Sequence, residues 1–483
     1  MKKTRLLSLL LVALLASQTL VSCGGTSSSG SDTTTGDTTP AETEPEYLDN
    51  LGDLRFDGEE FTLFLAHGTG EDAHNTYIME EETGDVLDDA VFARNRKVEE
   101  SLGITLTYVD GGYSTDGTSQ AQATAAIQQY IMAGDDTYDA YIHVQHTGMP
   151  GMIAEGNFVD WNTIPNLDLT KEYWYQLCIE DINYGDKIYA MTGAYHLNSL
   201  TAANVLYFNK RLFDELQEDY PYQMVLDGTW TFDKFYELVE KGTLDLNGDT
   251  NIEFGVDQVG YWGWGYEQYP GMFISLGGDV CLKDEKTGMP VLNIDNERTV
   301  RLIDSMKKLF ELPGANAEWS TYGIFNTAFE SGQVLFLHAG LSFATNLREM
   351  EDDFGFVPYP KLDEDQATFK SRVQNTSCLT YIPVTNSDLA FTGAVLERMA
   401  SVSQQTTIPA FFDTVLTIKS TRDTESEQMI SIIQASCSFY DEAAGGFSVN
   451  SAVNSSGLAS YWAGVKAKVE ENVQKNIIDV YFD

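Results

Sequence analysis

Short apolar runs alternate with segments of helical spacing along this chain, and that order is the strongest constraint on its fold. Residues 61–67, 104–109 and 138–144 have the composition of buried strands, whereas 86–102 and 120–132 carry apolar residues at helical intervals. A strand–helix–strand order predicts a parallel sheet covered by helices on both faces. We therefore predict an α/β fold.

The ends of the predicted strands supply the first candidate site residues. Ligands of open α/β sheets bind beyond the carboxyl ends of the strands, which selects His67, Gln145 and His146. His143 and His146 are three residues apart, so on a strand they are not expected to converge on one zinc ion. His146 is interpreted as a hydrogen-bond partner for a ligand, with a satisfied surface histidine as the alternative.

A second unit with its own strands and helices follows from about residue 201. The pattern predicts strands at 204–210, 333–338 and 354–360, and a helix at 298–312. Thr231 is the expected N-cap of another helix. A chain of 483 residues has room for two or three domain-sized units, so a second sheet is expected here.

The N-terminus has the pattern of an export signal. Three basic residues precede an apolar run at 6–16, which is too short for a stable membrane span. The run leads to Leu20-Val21-Ser22-Cys23, which resembles the lipobox of bacterial lipoproteins. The resemblance implies a signal peptide at 1–22 and lipidation of Cys23; an ordinary secretory signal is the alternative. An extracytoplasmic protein, lipid-anchored to the bacterial cell membrane, is expected.

Residues 23–46, which begin with the lipidated cysteine, are predicted to be a disordered linker. After Cys23 they are rich in Ser, Thr, Gly, Asp and Glu and contain no large apolar residue, so they cannot bury much surface. A flexible coil of this length spans roughly 25–30 Å. It suits a spacer between a membrane and a folded body.

The charge of the chain excludes some partners. A net charge of −44 repels phosphate backbones and argues against nucleic acid as a partner. It also argues against adhesion to anionic lipid, so membrane anchoring is assigned to the acyl group.

The cysteines follow no metal-binding pattern. Four lie far apart after Cys23, without CxxC spacing: Cys178, Cys281, Cys378 and Cys437. They are compatible with two disulfides in any of three connectivities, and equally with buried free thiols. Both possibilities remain open.

Five segments together resemble one known family. Residues 205–213 and 228–235 are similar to the strand–helix–TW signature of the extracellular solute-binding proteins of ABC importers, family 1, the carbohydrate binders of the maltose-binding-protein type. Residues 93–100 resemble the first-lobe helix of that family, and 329–336 and 353–361 resemble its later strand segments. The segments follow the family's order.

The resemblance implies a two-lobed, type II periplasmic-binding-protein fold, also called a Venus flytrap, with a hinge of crossing strands. Lobe 1 is expected at 47–195 plus 380–412, and lobe 2 at 196–379 plus 413–483. The crossings are expected near 195–197, 379–381 and 411–412. A cleft between the lobes is expected to close on a ligand.

An aromatic, glycine-rich segment is the main candidate for sugar contacts. Sugar rings need flat aromatic faces and their hydroxyls need polar partners, and Trp262, Trp264, Tyr266 and Glu267 offer both. In the resembled family, the segment at this place reaches the cleft. Packing of Trp262 or Trp264 in the core is the alternative. The further candidates, Trp319 and Phe343, are weaker, and Trp230 is assigned to the core.

One acidic loop has oxygen ligands at alternate positions, as Ca²⁺ sites do. Its candidate ligands are Asp245, Asn247, Asp249, Asn251 and Glu253. The loop departs from the EF-hand pattern, since Thr250 stands where Gly is usual and Val256 stands where the bidentate Glu belongs. A solvated acidic turn is the alternative, and no other cofactor is expected.

Signatures of catalysis are missing: the sequence has no HExxH, GxSxG, Walker or GxGxxG motif. We therefore expect a monomeric binding protein, not an enzyme, that captures a sugar or oligosaccharide between its lobes and delivers it to the permease subunits of an ABC transporter. The alternative is a cell-surface glycan-active enzyme or a static glycan-binding lipoprotein, because glycosidases carry weak local signatures.

Overall fold

The computed structural model describes residues 46–66, 77, 79–113, 117–263, 267–315, 325–375, 377–416, 424–440 and 443–482. From Tyr47 onward the chain forms one compact unit. The predicted signal peptide, Cys23 and nearly all of the linker lie outside the described residues.

The strands and helices alternate along the unit. The strands are β1 Glu60–Leu65, β2 Thr105–Asp110, β3 Ala140–Val144, β4 Asn204–Asn209, β5 Val259–Trp262, β6 Cys281–Lys283, β7 Pro290–Leu292, β8 Val334–Gly340, β9 Phe354–Val357, β10 Ser371–Arg372, β11 Cys378–Tyr381 and β12 Cys437–Ser438. The helices are α1 Val86–Leu102, α2 Gly117–Met132, α3 Met149–Ala154, α4 Gln176–Ile182, α5 Leu197–Thr201, α6 Lys210–Leu216, α7 Tyr222–Leu226, α8 Phe232–Lys241, α9 Gln268–Ser275, α10 Glu297–Phe310, α11 Phe325–Glu330, α12 Leu389–Gln405, α13 Thr407–Leu416, α14 Thr424–Ala435, α15 Val449–Val453, α16 Leu458–Val473 and α17 Asp479–Tyr481.

The first sheet contains the three strands predicted from the N-terminal half. Its order is β11-β3-β1-β2, with β1 parallel to both β2 and β3. The parallel pairing was predicted, and it is confirmed for these three strands. The fourth strand, β11, comes from much later in the chain and runs antiparallel to β3, with Cys378 opposite Val144. Because every residue of β3 is buried, the sheet is covered on both faces there.

The second sheet has the order β5-β8-β4-β9. The strands predicted at 204–210 and 333–338 are confirmed as β4 and β8, which pair antiparallel, while β5 runs parallel to β8. Both β4 and β8 are buried along their whole length. Trp230 lies in this core with no exposed surface, as predicted, and its indole N–H donates to the carbonyl of Pro358 at 3.0 Å.

A short segment connects the two sheets. β10 pairs in parallel with β12, and the next residue, Val373, bridges to Ala203 beside the second sheet. A few residues later the chain enters the first sheet as β11, where Thr380 also bridges to Met191. Residues 371–381 therefore contact both sheets within eleven residues. The exact lobe boundaries remain a prediction.

None of the described helices is long and apolar enough to cross a membrane. The four cysteines after Cys23 are all described, and they form no disulfides with one another. Cys178, Cys378 and Cys437 are buried and Cys281 is half-buried, so the structure supports thiols rather than disulfides. Burial raises the pKa of the Cys437 thiol to about 12 and that of Cys178 further, so neither is a thiolate at neutral pH.

Candidate functional site

His146 lies just beyond β3, at the edge of the first sheet where the sequence places a ligand contact. Its Nε2 lies 3.0 Å from Oε1 of Gln120, a buried residue of α2. The next residue, Thr147, has a φ of 54°, so the chain turns sharply after the strand. His146 is therefore held in a fixed position at the strand end.

Glu267 immediately precedes α9 and forms an ion pair with Arg372 of β10. The Arg372 side chain is 2% exposed and that of Glu267 is 22% exposed. The Nε–H of Arg372 is buried and has no hydrogen-bond partner among the described residues. Glu267 is thus the counter-charge of the buried Arg372 guanidinium, a role that the sequence did not indicate.

His146, Glu267 and Arg372 interact electrostatically. The pKa of His146 is lowered, chiefly by burial; the Asn375 backbone and the Glu267 carboxylate oppose this shift, and the Arg372 guanidinium adds to it. The imidazole is therefore neutral at pH 7 and offers one donor and one acceptor. We call Gln120, His146, Glu267 and Arg372 the junction cluster, since it joins elements of the first sheet to α9 and β10.

Gln145 does not join this cluster. It lines a small cavity of about 30 Å³ together with Leu379, Tyr381 and Tyr481, on the apolar side of the first sheet. Both Gln145 and His146 lie beyond Val144, the last residue of β3, and they have different surroundings: Gln145 lines this cavity, whereas His146 contacts Gln120. Gln145 as a ligand contact remains a prediction.

Trp262 and Phe343 are both buried in the core. Trp262 is 1% exposed and packs edge-to-face on Phe254, with ring centroids 4.9 Å apart. Phe343 is 9% exposed and packs on Tyr207 at 5.7 Å. Neither offers an exposed aromatic face, which favours core packing, the alternative given for Trp262; the two ligand contacts remain predictions. His67, Trp264, Tyr266 and Trp319 lie outside the described residues.

The two histidines of β3 contact the same helix. His143 Nε2 lies 2.9 Å from the hydroxyl of Thr124, one turn beyond the Gln120 that contacts His146. The expected divergence of the two side chains is therefore only partial, because the chain leaves the strand after Val144. His143 is fully buried.

The predicted calcium loop uses its oxygens to bind its own backbone. The Asp245 carboxylate accepts hydrogen bonds from the N–H groups of Gly248 and Thr250, both at 2.7 Å. Asp249 Oδ1 accepts from the N–H of Asn251 at 2.8 Å. Over the described ranges, no group of three or more His, Cys, Asp or Glu side chains is placed to hold a metal ion. The five candidate ligands remain a prediction: Asp245, Asn247, Asp249, Asn251 and Glu253.

A groove of about 620 Å³ is lined by residues that flank β10 and β12. Its polar lining includes Asp181 of α4, Asp279, which follows α9, and Lys370, which precedes β10. The Lys370 ammonium donates to Asp279 at 3.1 Å, and Asp181 accepts from the Ser438 hydroxyl at 2.9 Å. Burial raises the pKa of Asp181 to about 6. We call Asp181, Asp279 and Lys370 the groove cluster.

Arg372 and Gln120 were missed by the sequence reasoning. A signal for Arg372 existed, since it is the only charged residue between Ser371 and Tyr381. A single charge in a buried strand is rare unless it is paired. Its partner Glu267 lies 105 residues away, however, and no local pattern could have named it.

The fold defines the class of the protein: a mixed α/β, type II periplasmic-binding-protein fold built on two sheets. The family model for bacterial extracellular solute-binding proteins matches residues 85–382, more than half of the chain. This chain belongs to that family, whose members act outside the cytoplasm. No curated protein sequence matches the chain.

Solved structures share the fold at low sequence identity. The GacH receptor of Streptomyces glaucescens matches with a TM-score of 0.51 and 15% identity, over 88% of this chain and 99% of GacH. A cyclo/maltodextrin-binding protein matches with a TM-score of 0.52 and 13% identity, over 88% of this chain and 97% of its own. UspC of M. tuberculosis reaches a TM-score of 0.54 at 12% identity, over 86% of this chain and 100% of its own.

Proposed function

We propose that this protein is a lipid-anchored substrate-binding protein of an ABC importer. It captures a sugar or oligosaccharide between its two predicted lobes and delivers it, unchanged, to the permease. The observation that carries the proposal is the junction cluster, where His146 at the end of a parallel strand lies close enough to the Glu267–Arg372 pair for both charges to act on its imidazole.

The chemistry of the junction cluster suits a neutral, hydroxyl-rich ligand. A neutral imidazole both donates and accepts, the glutamate accepts, and the guanidinium donates. Arg372 is already balanced by Glu267, so the pair can offer hydrogen bonds without requiring a charged ligand. A ligand that contacts His146 and Glu267 together favours the state in which the two sides are close.

The structural relatives support a carbohydrate as the ligand. GacH was solved in complex with acarbose, and the cyclo/maltodextrin-binding protein was solved with maltotetraose. We propose that Trp264, Tyr266 and Trp319 supply the aromatic faces that such ligands need. His67 is a further polar candidate.

Isothermal titration calorimetry against a panel of malto-, manno- and gluco-oligosaccharides tests the binding. At least one sugar is expected to bind, and chromatography after prolonged incubation is expected to recover it intact. His146→Ala should weaken binding by about tenfold or more, since each lost polar contact leaves buried groups unpaired. Val291→Ala, at a half-exposed position of β7, is the matched control and should bind like the parent.

Two results would overturn the proposal. The absence of heat with every sugar would remove carbohydrate as the ligand, and the appearance of shortened products would identify an enzyme. The anchor is tested separately by metabolic labelling with a fatty-acid analogue: the parent should incorporate the label and Cys23→Ala should not. Equal labelling would refute lipidation at Cys23.

A further inference from the structure

Two side chains beneath α9 bury polar atoms that have no hydrogen-bond partner. Asn204 of β4 and His338 of β8 are both fully buried. Asn204 Nδ2 and His338 Nε2 have no partner among the described residues. Their other polar atoms are engaged, since Asn204 Oδ1 accepts from Gln374 Nε2 at 3.2 Å and His338 Nδ1 is hydrogen-bonded to the Tyr359 hydroxyl.

These two side chains lie on the same face of the second sheet. In the antiparallel register of β4 and β8, Asn204 is opposite Gly340 and Leu206 is opposite His338. Asn204 and His338 are thus diagonal neighbours, both facing α9. A Cβ atom added at Gly271 of α9 would lie 2.8 Å from Asn204 Nδ2 and 3.2 Å from His338 Cε1.

Arg372 adds a third atom of the same kind. Its Nε–H is buried and unpartnered, and its charge is close enough to contribute to the lowered pKa of His338. That pKa falls to about 3, chiefly because the ring is buried, so His338 is neutral at pH 7. Buried polar atoms are nearly always paired, because leaving one unpaired is costly, so three of them around one helix indicate an occupant.

The donors and acceptors define the chemistry of that occupant. The amide nitrogen of Asn204 and the Nε–H of Arg372 can only donate. The neutral His338 ring can accept at Nε2 when its Nδ1–H donates to the Tyr359 oxygen. A hydroxyl oxygen accepts two hydrogen bonds and donates one, which satisfies all three atoms; a carboxylate would leave His338 unpaired.

We infer that Asn204, His338 and Arg372 form a deep polar subsite of the ligand site, which binds a hydroxyl oxygen of the sugar or of a water molecule that bridges to it. This inference rests on the proposed function, because Arg372 also belongs to the junction cluster. It assigns specificity for a hydroxyl group to Asn204 and His338, residues of the second sheet that have no charge at pH 7.

Affinity measurements test the subsite in the full-length protein. Asn204→Leu, which keeps the volume and removes the donor, should weaken sugar binding about tenfold or more. Gly271→Ala should act similarly, since its methyl group crowds Asn204 Nδ2. Tyr141→Phe is the matched control: it removes another buried, unpartnered hydroxyl, within the first sheet, and should leave the sugar Kd unchanged.

Thermal unfolding separates binding from folding. If Asn204→Leu fails to fold, Gly271→Ala and His338→Gln replace it. A folded Asn204→Leu or Gly271→Ala variant with the parent's sugar affinity would overturn the inference. A crystal structure of the ligand-free parent provides the independent arm, with an ordered water expected at hydrogen-bond distance from Asn204 Nδ2 and His338 Nε2.

The affinity measurements and the ligand-free crystal structure together distinguish failure of the proposed function from failure of the subsite. A parent that binds no sugar refutes the proposed function, and the ligand-free crystal structure then still decides the subsite. No oxygen within hydrogen-bond distance of Asn204 Nδ2 and His338 Nε2, with or without sugar, would refute the subsite. A bridging water in the free protein that is displaced by a sugar hydroxyl on binding would assign direct recognition.

Discussion

The two ends of α9 are held by ion pairs to the same short strand region, yet their surroundings differ. Arg372 pairs with Glu267 before the helix, and Lys370 pairs with Asp279 after it. The Arg372 side chain is 2% exposed, whereas that of Lys370 is 27% exposed. The first pair acts electrostatically on His146 in the junction cluster, and the second acts on Asp181 in the groove cluster.

This comparison shows that burial, rather than charge pattern, distinguishes the two ion pairs. A buried guanidinium presents a planar fork of donors and cannot lose its charge, so it holds a carboxylate in one geometry. A partly exposed lysine competes with water and contributes little net stability. We therefore expect the two pairs to respond very differently to the same substitution.

The largest effect is expected for Arg372→Met. Removing the guanidinium leaves Glu267 without its counter-charge, and should lower the free energy of unfolding by about 2–3 kcal/mol. Sugar binding should be lost together with the junction cluster. Urea denaturation and calorimetry measure both. The double variant with Glu267→Gln should recover part of the stability, and a single variant as stable as the parent would break the comparison.

A pH-dependent effect is expected for Asp181→Asn. Burial raises the pKa of Asp181 to about 6, so its ionised form is disfavoured in the fold. The resulting cost is absent below the unfolded pKa near 4 and complete above pH 6. The variant should therefore be more stable than the parent by about 1–2 kcal/mol at pH 8, with the gap closing towards pH 4.

Urea denaturation of the parent and of Asp181→Asn at several pH values measures this difference in stability. Lys370 and the Asp279 carboxylate both act on Asp181, with opposite sign, and the Ser438 and Phe439 hydrogen bonds lower its pKa. A stability gap that is constant with pH would show that Asp181 titrates normally in the fold.

The smallest effect is expected for Lys370→Met. The partly exposed pair with Asp279 should contribute about 1 kcal/mol or less, and the loss should be similar at low and high sugar concentration. Differential scanning fluorimetry with and without sugar measures it. If Lys370→Met abolishes sugar binding as completely as Arg372→Met, the groove cluster belongs to the ligand site and the comparison fails.

Local patterns predicted the elements better than their assembly. The helix expected at 86–102 is α1 with the same bounds, and the strand expected at 204–210 is β4. Hydrophobic periodicity is local, so it carries this information. The antiparallel pairing of β11 with β3 joins residues more than 230 apart, and no pattern within either strand encodes it.

The site was predictable only in part. The rule about strand ends selected His146, whose pKa the charges of Glu267 and Arg372 influence; its role in ligand binding remains a prediction. The same rule selected Gln145, which lines a separate small cavity. Trp262 has the composition of a sugar contact, but its neighbour Phe254 makes it a core residue. Composition indicates which side chains are chemically suited to contact a sugar, whereas tertiary packing decides which of them are accessible to it.

Small-angle X-ray scattering with and without a sugar that calorimetry shows to bind is the most direct test of the central claim. A receptor whose halves close on the ligand should show a smaller radius of gyration at saturating sugar, and Arg372→Met should show no change. An unchanged radius of gyration for the sugar-saturated parent would contradict capture by closure.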